Sequence, residues 1–127
     1  MNLEMFVPKL VAAGLGKPGE SIFINEMRAG CDGIMLKESY KGTAIDPNLP
    51  KFYKGEFAIV VRKSGYTTAR ALAYDAMNAL ASMLEETLED GTQIKHVIPR
   101  HLPIGYPIPQ SGLQEFVVNI DCAYVVG

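Results

Sequence analysis

The sequence predicts an α+β fold, a mainly antiparallel β-sheet with two helices packed on one face, in the order α-β-β-β-α-β-β. Three observations carry that expectation. EFAIVVRK at 56–63 and the closing QEFVVNIDCAYVV at 114–126 alternate at the two-residue period of a half-buried strand. Between them, SGYTTARALAYDAMNALASMLEETLEDG combines good helix formers with an apolar stripe at helical spacing. The strand-like runs are joined mostly by connections of hairpin length, which favours antiparallel pairing.

Taken in order, NLEMFVPKLVAA sets Leu3, Phe6, Leu10 and Ala13 at steps of three or four, one face of a short helix. Pro8 lies either in its first turn or at a kink, and Gly14 or Gly16 suits its C-cap. The stretch GLGKPG matches the dinucleotide fingerprint G-x-G-x-x-G on paper. That chemistry needs a strand before the glycines and a helix after them, and here the order is reversed. ESIFIN begins the first strand at Ser21 to Ile24 and GIMLKE forms the second, so residues 21–37 read as a hairpin-like pair.

SYKGTAIDPNLPKFYKG, residues 39–55, carries two prolines, two glycines and an Asp-Pro step, which forbid a regular helix. Tyr40, Ile45, Leu49, Phe52 and Tyr53 make it too apolar for an idle linker. Two readings stay open: the loop packs against a partner, or it folds back over the core of its own chain. In the next strand Phe57, Ile59 and Val61 share one face, with Ala58, Val60 and Arg62 on the other.

The long helix shows Tyr66, Ala69, Ala73, Ala76, Met77, Leu80, Leu84 and Leu88 as its apolar stripe. Ser64 or Thr67 is expected to cap its start and Gly91 to end it. TQIKHVIP is a short strand, and RHLPIGYPIPQSG an extended, proline-stiffened excursion. In the last strand Phe116, Val118, Ile120, Cys122, Tyr124 and Val126 alternate with Val117, Asn119, Asp121, Ala123 and Val125.

A length of 127 residues suits a single domain covering residues 1–127. No apolar run approaches the roughly 20 residues of a membrane helix, and no leader-like basic and apolar series opens the chain. Cys31 and Cys122 are too far apart in sequence to suggest a disulfide framework, which favours a reducing setting. The net charge of -2 hides an asymmetry: Lys37, Lys41, Lys51, Lys54, Arg62, Lys63 and Arg70 cluster in the middle, and acids dominate afterwards. That basic stretch could touch phosphate, but an acidic surface on another copy of the chain is the favoured partner. A sequence pI near 5.6 speaks against strong nucleic-acid binding.

No catalytic, cofactor or metal constellation emerges. His96 and His101 lack the further ligands that zinc needs, and no Ser or Cys stands in a nucleophile pattern. Glu85, Glu86, Glu89 and Asp90 are expected at an acidic helix end, where they oppose the macrodipole unless a basic surface faces them. The alternative function is a small oligomeric enzyme or ligand-binding protein with a site between subunits, built from Arg62, His96, Asn119 and Asp121. Salt bridging across the sheet accounts for those four residues more simply.

The run YKGTAIDPNLPKFYKGEFAIVVRKSGYTTARALAYDAMNAL resembles the tail terminator, or tail-to-head joining, proteins of long-tailed bacteriophages, also described as minor capsid or tail completion proteins. The resemblance lies in the order of Ile45-Asp46-Pro47, the P-x-x-Y-x-G turn from Pro50 to Gly55, the strand end Val60-Val61-Arg62 and a helix opening shortly after Tyr66. GLGKPGESIFINEM is similar to the family's opening, where a helix breaks at Gly-Leu-Gly and turns into the first strand. The chain departs from the pattern at EMRAG, where a Pro is expected after the Met, and in PRHLPIGYPIP.

The resemblance implies a structural virion protein with no cofactor and no catalysis, assembled in the host cytoplasm. It would form a homohexameric ring at the head-proximal end of the tail, ending polymerisation of the tail tube protein. The ring would offer a docking surface to the head completion or connector protein and pass DNA through its lumen without base recognition. Membrane contact is not expected. A cyclic ring joins one patch to a different patch next door. The expected assembly residues are Tyr40, Lys41, Asp46, Phe52, Tyr53 and Lys54 of the loop, Glu85 and Glu89 of the acidic end, and Arg100 and Tyr106 of the excursion.

Overall fold

The computed structural model describes residues 1–28, 30–107 and 112–126. A 3-10 turn at Leu3–Phe6 runs into helix α1, Val7–Ala12. Strands β1 (Ile22–Ile24), β2 (Gly33–Glu38), β3 (Ala44–Ile45) and β4 (Phe52–Ser64) come next, then helix α2, Tyr66–Ala81. Strands β5 (Glu86–Thr87), β6 (Gln93–Pro99), β7 (Ile104–Pro107) and β8 (Leu113–Val125) complete the order. All eight strands belong to one sheet, ordered β1-β2-β4-β8-β6-β5, with β3 added to β4 and β7 to β8. Apart from β1 with β2, every pairing is antiparallel.

The spine of the sheet is β4 paired with β8 over thirteen continuous positions, from Phe52 opposite Val125 to Ser64 opposite Leu113. The alternation seen in the sequence decides its faces. Phe57, Ile59 and Val61 of β4 and Phe116, Val118, Ile120 and Cys122 of β8 are buried on the side that carries the helices. Against them α2 lays Ala69, Ala73, Ala76, Met77 and Leu80. Three small side chains in that stripe let the helix axis approach the sheet closely, which brings Met77 and Leu80 into the core. Leu3, Phe6 and Leu10 of the N-terminal segment fill the rest, and Phe6 stacks on Phe57 with ring centroids 4.7 Å apart.

Helix α1 ends as its glycine suggests. Gly14, at φ +75, donates to the carbonyl of Val11 at 2.9 Å and Leu15 donates to that of Leu10 at 3.1 Å, the paired bonds of a Schellman cap. Pro8 lies in its first turn.

The structure corrects four expectations. Residues 21–37 do not form a hairpin-like antiparallel pair: β1 and β2 run parallel, Ile22 beside Ile34 and Ile24 beside Leu36. The reversal begins at Asn25, in the left-handed region at φ +61, whose side chain accepts from the Glu38 amide at 3.0 Å and whose own amide donates to Leu36. Gly33 then re-enters the sheet beside Ser21 with φ +136.

Helix α2 stops at Ala81 instead of running to Gly91, so Leu84 and Leu88 leave the helical stripe. Its cap is Gly65 with no side-chain hydrogen bond, so neither Ser64 nor Thr67 fills that role. The helix loses to a hairpin: Glu86–Thr87 pairs with Gln93–Ile94, and an Asp90-Gly91 turn with Gly91 at φ +89 joins the two strands. Leu88 closes that turn by donating to the Thr92 carbonyl at 2.8 Å. Met83 is buried at 1% exposure, while Leu84 points out at 69%. Glu85, Glu86, Glu89 and Asp90 therefore do not oppose a helix dipole, and Glu85 itself has φ +50.

Strands β3, β5 and β7 were not expected as strands. The loop at 39–55 places Ala44–Ile45 beside β4, which already begins at Phe52, and the excursion adds Ile104–Pro107 to β8. The remainder of that excursion, 108–111, lies outside the described residues.

Candidate assembly surfaces

On the helix-free face, strand register draws together charges from distant parts of the sequence. Glu56 of β4 lies opposite Asp121 of β8. Two facing carboxylates repel, and Arg100, just past β6, answers both. Its guanidinium donates to Asp121 at 2.7 to 3.0 Å and pairs with Glu56. Those contacts, the hydrogen bonds that Arg100 donates to Asp121 foremost, raise the Arg100 pKa. Lys41 reaches the same Glu56 at 3.8 Å, and Ser39 donates to it at 3.4 Å. This cluster ties the start of the long loop to the middle of the sheet.

Further along the same face Arg62 bonds Glu115 at 2.8 Å. Both side chains keep about a fifth of their surface in water, so Glu115→Ala should cost about 1 kcal/mol or less and less still at high salt. A loss above about 2 kcal/mol in urea melts would show that water screens the pair far less than this exposure implies. Ile98, Ile104 and Tyr106 lie opposite Asp121, Val117 and Glu115, so they line up on this face, each about half exposed.

The four polar residues of the enzyme alternative are spread out instead of convergent. Arg62 is held by Glu115, Asp121 by Arg100, and Asn119 contacts His101 Nε2 at 3.1 Å. His96 lies opposite Ala123, and its Nδ1 is buried without a hydrogen-bond partner among the described residues. From the Glu115 position to the Ala123 position is roughly 26 Å of strand at the usual rise. No single substrate atom can be reached from all four.

The expected assembly residues separate by environment. Tyr40 is fully exposed, and Lys41 keeps 76% of its side chain in water. Asp46 is half-buried and caps the turn by accepting from the Asn48 amide at 2.9 Å. Phe52 and Tyr53 are half-buried, Tyr53 against Tyr124 with ring centroids 5.5 Å apart, and Lys54 lies over the Phe52 ring. The loop thus answers both readings at once: its β4 end packs on its own chain, while Tyr40, Ile45 and Leu49 face solvent. Tyr106 is exposed on β7, and Arg100 is engaged in the ionic cluster. Glu85 is taken by Lys95 at 3.3 Å.

Glu89 is exposed and borders a groove of about 470 Å³ that sequence reasoning missed. The groove lies between α1 and the β5 hairpin. Met5, Pro8 and Leu88 give it an apolar lining, and Glu86, Glu89 and Asp90 give it an acidic rim. Lys9 crosses one side to reach Glu86 at 3.2 Å. Asp90 accepts from the Thr92 amide at 2.9 Å, which holds its carboxyl below the usual carboxylate range. Asp90 therefore stays charged at neutral pH.

The family model described as bacteriophage tail terminator protein matches residues 9–126. The chain belongs to that family. The match runs from α1 through β8, so every strand of the sheet is included. A solved structure titled as the virion of a native gene transfer agent particle contains a chain similar to this tail terminator, with a TM-score of 0.60 and 16% sequence identity. The likeness covers 93% of this chain and 84% of the other, and at that identity it speaks to the fold. No curated protein matches. As a tail terminator the chain is a structural protein of the phage particle.

The two cysteines of the tail terminator differ sharply. Cys122 faces the core, and burial pushes its thiol up to about 12, so at pH 7 it is fully protonated. Cys31 is half-exposed. A disulfide reagent at neutral pH should release the equivalent of one fast thiol from the native protein and two after denaturation. Two fast thiols in the native state would show that the core around Cys122 opens readily.

Proposed function

We propose that this tail terminator closes into a homohexameric ring at the head-proximal end of the tail tube, stops tube growth there, and presents its outer surface to the head connector. Membership of the family over residues 9–126 carries the reading. The surface is consistent with it: a basic, aromatic loop and an acidic, apolar-lined groove are unlike patches, as a heterologous ring interface requires. One domain per copy, residues 1–127, suffices as the building block, and DNA crosses the lumen without base readout.

The test is the mass of the purified protein by light scattering, with negative-stain images of any large species. A closed ring of six copies with an open centre is the expected result, either in free solution or after addition of tail tubes. A stable dimer with a two-fold interface, or a monomer that tail tubes fail to recruit, would overturn the ring.

A further inference from the structure

We propose that the groove between α1 and the β5–β6 hairpin receives the loop at residues 40–51 of a second copy of this chain, with Tyr40 as the anchor and lysines of the loop against the acidic rim. This rests on the ring reading above and names the contact that would hold it together.

Four observations support the docking. Tyr40 is 100% exposed, and Ile45 and Leu49 expose 75% and 50% of their surface. Three large apolar side chains held in water within one short loop are the composition of a contact surface, with Tyr offering a large area at low entropic cost. Second, the groove has the complementary make-up: an apolar lining of Met5, Pro8 and Leu88 under a carboxylate rim. Met5 there offers a pliable, unbranched side chain to an aromatic ring, and Pro8 a fixed apolar one.

Third, the charges match in kind and in availability. On the loop, Lys51 is exposed and makes no ion pair among the described residues, and Lys41 keeps most of its side chain in water. On the rim, Glu89 is exposed and likewise unpaired among the described residues, and Asp90 is fixed by its bond to Thr92. Unlike patches of opposite sign steer two copies into one register.

Fourth, a subunit cannot fill its own groove with its own loop. Because β8 occupies one edge of β4 along its whole length, β3 must sit on the β2 side. Strand β5 is the outermost strand on the opposite side. Four strand spacings, roughly 19 Å, separate β3 from β5. A surface on one flank of the sheet and its complement on the other generate a head-to-tail chain of copies, which closes when the rotation allows.

Site-directed cross-linking tests this in the full-length chain carrying Cys31→Ser, with Cys122 left in its buried place. A chain bearing both Tyr40→Cys and Glu89→Cys should form, under mild oxidation, a ladder of covalent oligomers ending in a closed ring. Mixing two chains that each bear one of the substitutions should stop at the dimer. In the same background, the pair Lys41→Glu and Lys51→Glu should raise the concentration for half-assembly about fivefold, and added Glu89→Lys should bring it back. Assembled protein, with or without tail tubes, that yields no link between positions 40 and 89 overturns the docking and leaves the ring standing. So does a link from position 89 to the tube protein in place of the neighbouring copy. A chain that neither self-associates nor joins tail tubes overturns the ring and the docking together.

Discussion

Gly33→Ala is expected to cost about 3 kcal/mol or more, read as a lowered midpoint in denaturant or thermal melts. Two separate effects add at this position. The backbone sits at φ +136, a region that L side chains rarely adopt. A methyl group there would stand 2.4 Å from the carbonyl oxygen of Ser21, which is backbone and cannot swing away. That same oxygen accepts the amide of Ile34 at 2.8 Å, so relief of the clash would break the first bond of the parallel β1–β2 pair. Gly55→Ala is the matched control. Its Cβ would press on the tip of the Met1 side chain, at 2.9 Å to Cε, which a thioether can relieve by moving aside, and would meet Thr43 Oγ1 at an ordinary 3.7 Å. It should cost about 1 kcal/mol or less. Equal, small losses at both sites would mean that β1 does not lie beside Gly33 as described.

Phe57→Ala should remove about 3–5 kcal/mol, the usual penalty for emptying a buried aromatic site. Phe57 is 1% exposed at the centre of β4, and its ring stacks on Phe6, which is fully buried. Phe6 belongs to the N-terminal segment that also supplies Leu3 and Leu10, so the pair fastens that segment to the central strand. Phe6→Ala should cost a similar amount, and the double variant about 0.5–1.5 kcal/mol less than the sum, the share of direct ring contact. If the sum were simply additive, the two rings would contribute as separate hydrophobes.

Much of the architecture was legible because the chain states it locally. Strands β4 and β8 were readable from alternation, since a thirteen-residue strand repeats its period many times. The alanine stripe of α2 was readable for the same reason. Strands of two to four residues, β3, β5 and β7, repeat nothing, and only their partners define them. The overextended helix is instructive. Residues 82–90 have good helix formers, yet Asp90-Gly91 is a hairpin signal, and once β5 and β6 pair, propensity is overruled. Parallel pairing of β1 with β2 turns on the left-handed Asn25, which no periodicity announces.

The surface residues were legible by composition and not by neighbourhood. A loop too broken for a helix and too apolar for a linker left two readings open for Tyr40, Ile45 and Leu49, and it is the structure that puts them in solvent. Arg100 meeting both Glu56 and Asp121 could not be foreseen, because it depends on which residues of β4, β8 and the end of β6 fall side by side. The groove was hidden behind the helix error: with Glu89 and Asp90 placed on a helix, no hairpin existed to form its wall.

The long β4–β8 ladder also has a mechanical meaning. The loop at 40–51 feeds into β4 at Phe52, and the β7 excursion feeds into β8 at Leu113, which lies at the other end of the ladder. Tension between those two segments pulls the strands along their own axes in opposite senses. All thirteen paired positions then share the load in shear. A pull between Phe52 and Val125 meets the ladder at one end and peels it a rung at a time. Stretched by the first route the subunit is a stiff tie, and by the second a zip.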